Sequence, residues 1–203
     1  MLSAGSLWLA ERRQRPVLRI GGIILFGLAG AQIVFWHVLA NNPMVSGASV
    51  GRTMIFDVLS LAYLLPALLY IALVALKLGP QALRLCSRIL AVGLVFIWLT
   101  LEIRHAFHGE VIAYGPTHDA ESYTYSAAWL VFAGLGLAFG LLRRDAWVRR
   151  VSLGGVALVI AKVFLLDMAE LEGIWRALSF LGLGATLIGI GYAYRRLRPA
   201  QAE

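Results

Sequence analysis

The sequence predicts an all-α protein, a polytopic transmembrane helix bundle of about six spans with both termini cytoplasmic. Three observations predict it. Of 203 residues, 60% are hydrophobic and 14% charged, with a mean hydropathy of +0.79. An ordinary soluble domain carries about 45–50% apolar and about 25% charged residues. Six stretches approach the roughly 20 apolar residues that cross hydrocarbon. Basic residues, finally, alternate between the loops. Of the 18 Lys and Arg, the 14 in the first tail, in the loops after the second and fourth stretches and in the last tail fall on one side. The excess of Lys and Arg on one side marks the cytoplasm. Asp57, Glu102, Glu110, Asp119, Glu121, Asp167, Glu170 and Glu172 fall on the opposite side.

The first element is expected over Ile20–Ala40, preceded by a basic tail (1–19) with Arg12, Arg13, Arg15 and Arg19. Its length exceeds the 7–15 apolar residues of a secretory signal core, so a retained span is predicted rather than a cleaved leader. Met1–Ala10 is too short to span. The second stretch, Met54–Leu78, contains Pro66, which membrane helices tolerate with a kink. Before it, Asn41-Asn42-Pro43 and Ser46-Gly47 are turn signals in the loop 41–53. The third stretch, Leu85–Leu101, leads into the longest polar segment, His105–Thr124. The fourth, Tyr125–Leu142, carries Gly136 and Gly140 at the spacing by which membrane helices approach closely. The fifth, Trp147–Leu166, holds Lys162 near its end. The sixth, Ala177–Tyr194, is again glycine-rich. The remaining tails and loops are too short for an independent soluble domain, which needs about 40 residues. The chain is therefore expected to form a single transmembrane helical domain over 1–203.

These patterns exclude several functions. Net charge is +7, but the basic residues follow membrane topology, so no nucleic-acid partner is expected. No nucleophile elbow, phosphate loop, dinucleotide fingerprint or zinc-protease motif is present, and no cofactor is expected. Cys86 alone makes no internal disulfide. Tyr123, Tyr125, Trp129 and Trp175 fit an interfacial aromatic belt.

Ionisable groups near hydrocarbon are costly and mark candidate sites. The densest run is Glu102-Ile103-Arg104-His105-Ala106-Phe107-His108-Gly109. In a helix Glu102, His105 and His108 step by three and share a broad face. Glu-x-x-His is also a ligand spacing in di-iron bundles, but those need two such pairs. With one pair, and with Arg104 beside it, no metal centre is predicted. Lys162 either snorkels to the interface or pairs with a carboxylate. Depth favours Asp57 as its partner, with Glu102 second. Asp167 lies five residues on, about 140° around an α-helix, and is a poor partner on that geometry. Arg176 is expected to balance Asp167, Glu170 and Glu172.

Glu102 to Gly109, together with Glu121-Ser122-Tyr123-Thr124-Tyr125-Ser126-Ala127-Ala128-Trp129, resembles the C-terminal part of a bacterial family of predicted membrane proteins, domain of unknown function 2339. So do Lys162-Val163-Phe164-Leu165-Leu166-Asp167, Leu171-Glu172-Gly173 and Arg176-Ala177-Leu178-Ser179-Phe180. The resemblance covers roughly 95–197 and looks like the last portion of longer members. It implies a bacterial inner-membrane address and supplies no catalytic residues.

Together these readings gather Glu102, Arg104, His105, His108, Lys162, Asp167 and Arg176 into one hypothesised outer-face ligand-binding cluster. The favoured function is a non-enzymatic transport or envelope-assembly component in which Arg104, Arg176 and Lys162 meet a polar or anionic ligand and His105 or His108 switches charge. Two alternatives stand beside it. One is a membrane-embedded enzyme on a lipid-linked or envelope substrate, with Glu102 or Asp167 as base and His105 as acid or base. The other is a structural bundle packing through its glycines. The expected partners are the lipid bilayer and another membrane protein or the N-terminal part of a longer parent.

Overall fold

A computed structural model describes residues 5–6, 8–9, 16–167 and 174–197, with side chains given for most of these. Among them all regular structure is helical. Hydrocarbon offers no partner for backbone N–H and C=O groups, so a spanning segment must satisfy them within itself.

The helices are α1 (Pro16–Gln32), the short α2 (Pro43–Ser46), α3 (Leu65–Ala75), α4 (Gln81–His108), α5 (Asp119–Leu142), α6 (Ala146–Lys162) and α7 (Ile174–Leu197). A helix occupies each of the six predicted stretches. Three helical segments, Ile20–Ser46, Gln81–His108 and Asp119–Leu142, are long and apolar enough to cross a membrane by themselves. The apolar segments Ser60–Ala75 and Phe180–Tyr192 are shorter, and α6 carries Arg149, Arg150 and Lys162 along its length.

Three segments widen into π-helix: Ile33–Ala40 after α1, Ser60–Leu64 before α3 and Val163–Asp167 after α6. The second has a local cause. Pro66 sits at the start of α3; it has no N–H to donate and its ring crowds the preceding turn, so the ladder is reset there. The turn signals in the loop 41–53 prove to be caps. Asn42 accepts from the Met44 N–H at 3.0 Å, Pro43 takes the first helical position, and Gly47 ends α2 in the left-handed region.

Contacts divide the chain into two compact units, Met1–Thr117 and His118–Glu203. In the first, α3 packs on α4. Its core is built from Phe26, Leu59, Tyr63, Ala67, Tyr70, Leu83, Leu94 and Leu101. Phe26 meets Tyr70 edge-on, with ring centroids 5.4 Å apart. In the second, α5 packs along α6, and the small residues of the fourth stretch serve this contact. A Cβ on Gly140 would lie 2.8 Å from the Arg149 backbone nitrogen, and one on Gly136 would lie 2.5 Å from Ser152 Oγ. Backbone cannot yield as a side chain can, so Gly140→Ala is expected to destabilise the protein by about 1–3 kcal/mol. The reading is its unfolding midpoint in detergent micelles; an unchanged midpoint contradicts the packing.

Candidate functional site

The two loops flanking the first unit's hairpin are tied to each other. The Val50 N–H donates to Glu110 O at 2.9 Å, and the Val58 N–H to Val50 O at 3.2 Å. Val50 and Ile112 are fully buried beneath this junction. Arg104, on α4, holds the second loop from below. Its Nε donates to Ile112 O at 2.8 Å, Nη2 to Gly115 O at 3.0 Å and Nη1 to Thr117 Oγ1 at 3.3 Å. Gly115 has φ +99°, and a Cβ there would stand 2.9 Å from the His108 ring. Only glycine takes that backbone readily and leaves His108 its room.

Beneath these loops, Asp57, Glu102 and His105 converge. Asp57 precedes the first helical turn at Val58, and its Oδ1 accepts from the Ser60 N–H at 2.9 Å. An aspartate at a helix start satisfies one of the donors the helix leaves open. Its second oxygen, Oδ2, lies 3.3 Å from His105 Nδ1. Glu102 Oε2 approaches the same nitrogen at 3.8 Å from one turn earlier on α4. The Asp57 side chain is fully buried, and that of His105 is 3% exposed. The Ile55 backbone and the Trp98 indole face the Glu102 carboxylate, and Trp98 Nε1 also donates to Ser60 Oγ at 3.0 Å.

The approach to Asp57 is strained. Ile55 has φ +70°, a region that costs a β-branched residue on the order of 1–3 kcal/mol. Thr53 Oγ1 donates to Phe56 O at 2.8 Å, and Ser60 Oγ donates to Ile55 O. These bonds hold the tight backbone that turns Asp57 inward. An open cleft of about 510 Å³ runs over this segment, lined by Val50, Gly51, Thr53, Phe56, Asp57 and Ser60 among others.

Three buried atoms here, Asp57 Oδ2, Glu102 Oε1 and His105 Nδ1, have no hydrogen-bond partner among the described residues. Buried polar atoms nearly always find one, so each such exception calls for a reason. Two carboxylates and an imidazole can hold a cation or relay a proton.

The second unit holds a separate polar cluster between α5 and α6. Lys162 Nζ donates to Asp167 Oδ1 at 2.7 Å, to Ser126 Oγ at 2.7 Å and to Ser122 Oγ at 3.3 Å. Ser122 and Ser126 donate in turn to the two oxygens of Asp167. The Trp129 ring lies 5.9 Å from Nζ. Asp167 is 3% exposed at its side chain.

The expected pairing of Lys162 with Asp57 is thus corrected: Lys162 takes Asp167, and Asp57 takes His105. The reason is the π-turn Val163–Asp167. Its i→i+5 hydrogen bonds bring residue i+5 about one turn above residue i, so residues five apart stack where an α-helix would splay them. Of the seven residues expected to form one cluster, Glu102 and His105 meet in the first unit, while Arg104 and His108 turn to its loop. Lys162 and Asp167 meet in the second unit. The Arg176 side chain lies outside the described residues, as do Glu170, Glu172 and the Trp175 side chain. Asp57 was anticipated only as a partner for Lys162, and Ser122 and Ser126 carried no recognised signal. Tyr125, expected in an aromatic belt, donates to the fully buried Glu121 at 2.8 Å.

The family profile described as "Predicted membrane protein (DUF2339)" matches residues 1–197. The chain belongs to this family. The match reaches well ahead of the Val95 at which the motif resemblance begins, so the first unit is family sequence as well. No curated protein and no solved structure matches the chain significantly. Membership in the DUF2339 family makes this a predicted membrane protein, in keeping with its apolar helices.

Proposed function

We propose that this DUF2339 protein is a non-enzymatic transport or envelope-assembly component of the bacterial inner membrane, with both termini cytoplasmic, and that its first unit receives a small cationic ligand. The observation that carries the reading is the convergence of Asp57, Glu102 and His105, where three buried atoms make no hydrogen bond among the described residues. Two carboxylates at largely buried positions attract positive charge more strongly than exposed ones, because less water screens them. The sequence suggested a polar or anionic ligand met by Arg104, Arg176 and Lys162, of which Arg104 and Lys162 have described side chains. Those cations are directed to loop carbonyls and to Asp167, which turns the expectation toward a cation.

Two measurements test this. Reporter fusions after Gly79 and at the C-terminus should report cytosol, and one after Pro116 periplasm; any other pattern removes the topology. A thermal-shift panel of ammonium compounds, polyamines and divalent metals on the detergent-purified chain should find a cation class that stabilises it and has less effect on Glu102→Gln. No stabilising class, or equal stabilisation of the variant, overturns the cation site.

A further inference from the structure

We propose that Asp57, Glu102 and His105 form a three-ligand site for a divalent first-row transition metal of the zinc type. This rests on the cation reading above and narrows it to one chemistry. One ligand atom from each residue lies within 4.8 Å of the other two. Zn–N and Zn–O bonds of about 2.0–2.1 Å place neighbouring tetrahedral ligands about 3.3 Å apart, and Asp57 Oδ2 stands 3.3 Å from His105 Nδ1. Those two atoms are within reach of each other, yet neither is hydrogen-bonded. A proton on Nδ1 serves one carboxylate direction at a time, whereas a metal serves all three ligands at once.

The donor set selects the class of metal. One imidazole with two carboxylates suits a borderline divalent ion. Calcium takes six to eight oxygens, and magnesium keeps a near-octahedral shell. Two carboxylates supply the negative charge that a divalent ion cancels. Three protein ligands leave a fourth position free, the pattern of sites that exchange a ligand rather than only brace a fold. Asp57 is among the residues lining the open cleft, while its carboxylate is itself fully buried. The ligands are held before any metal arrives: Asp57 by the Ser60 N–H, Glu102 by its facing Ile55 and Trp98, and His105 by the helix it shares with Glu102. Such outer partners orient ligands and tune affinity. The one cation in the same run, Arg104, has its guanidinium drawn to Ile112, Gly115 and Thr117.

The test uses the full chain in detergent micelles, stripped with EDTA and titrated with Zn²⁺ by calorimetry. One saturable site is expected, weakened at least about tenfold in Glu102→Gln and in His105→Gln. X-ray absorption at the zinc edge should show nitrogen and oxygen ligands alone. Variants in a buried cluster can unfold, so Co²⁺ loaded on the unaltered protein is an independent reading, with the intense visible bands of four- or five-coordination expected. Absence of a saturable site, sulfur in the shell (which would place the ion on Cys86), weak octahedral Co²⁺ bands or unchanged affinity in both folded variants each overturns the proposal. Stabilisation by an ammonium compound without zinc binding overturns the metal while leaving the cation reading in place.

Discussion

Asp57→Ala is expected to destabilise the metal-free protein by about 1–2 kcal/mol, because it removes the oxygen that satisfies the open Ser60 N–H at the helix start. The side chain has two separate roles. Oδ1 caps the helix that begins at Val58, through the Ser60 N–H, and Oδ2 faces His105 at 3.3 Å. Asp57→Asn retains an oxygen for the cap and a polar group toward His105. It should recover about 1 kcal/mol of the loss, the usual worth of a cap. Denaturant unfolding in mixed micelles, with EDTA present, distinguishes the two. Equal losses in Ala and Asn, or a loss near zero in Ala, would show that the cap contributes nothing.

Lys162→Ala should be the more damaging, about 3–5 kcal/mol, since it leaves the Asp167 carboxylate buried with only serine hydroxyls to meet it. The double variant Lys162→Ala/Asp167→Ala removes both charges together. It should therefore be much milder than the sum of the singles, and a double-mutant cycle measures the difference. Additive losses would refute the pair. Ser126→Ala is a useful third arm. It deletes one hydroxyl that bonds both partners and should cost about 1 kcal/mol, the ordinary net value of a hydrogen bond.

Lys162 also shows where reasoning from the sequence stops. Its cost in a membrane is legible from residue type alone, and so is its need for a carboxylate. The choice between Asp57 and Asp167 depended on helix geometry. An α-helical register puts Asp167 about 140° away. The π-turn at Val163–Asp167 stacks the two residues instead, and nothing in the hydropathy pattern distinguishes the two kinds of turn. Glu102 and His105 make the same point: their spacing of three was visible, but one Glu-x-x-His pair is too little for a metal. Asp57, 45 positions earlier in the chain, brings the third potential ligand atom within 4.8 Å of the other two. Arg104 seemed in sequence to oppose a cation; in the fold its guanidinium turns to the loop carbonyls.

The sequence by itself determined that this chain is an all-helical membrane protein, the positions of its six apolar stretches, its family and the residues too costly to be incidental. Each of those follows from composition or from patterns a few residues long, because transfer into hydrocarbon is a sum over local side chains. Only the tertiary structure decided which costly groups meet. Asp57 with His105, Arg104 with the loop carbonyls and Lys162 with Asp167 depend on where the chain folds back and on turns that depart from α geometry. Ångström-scale contacts of that kind leave no periodic trace in a single sequence.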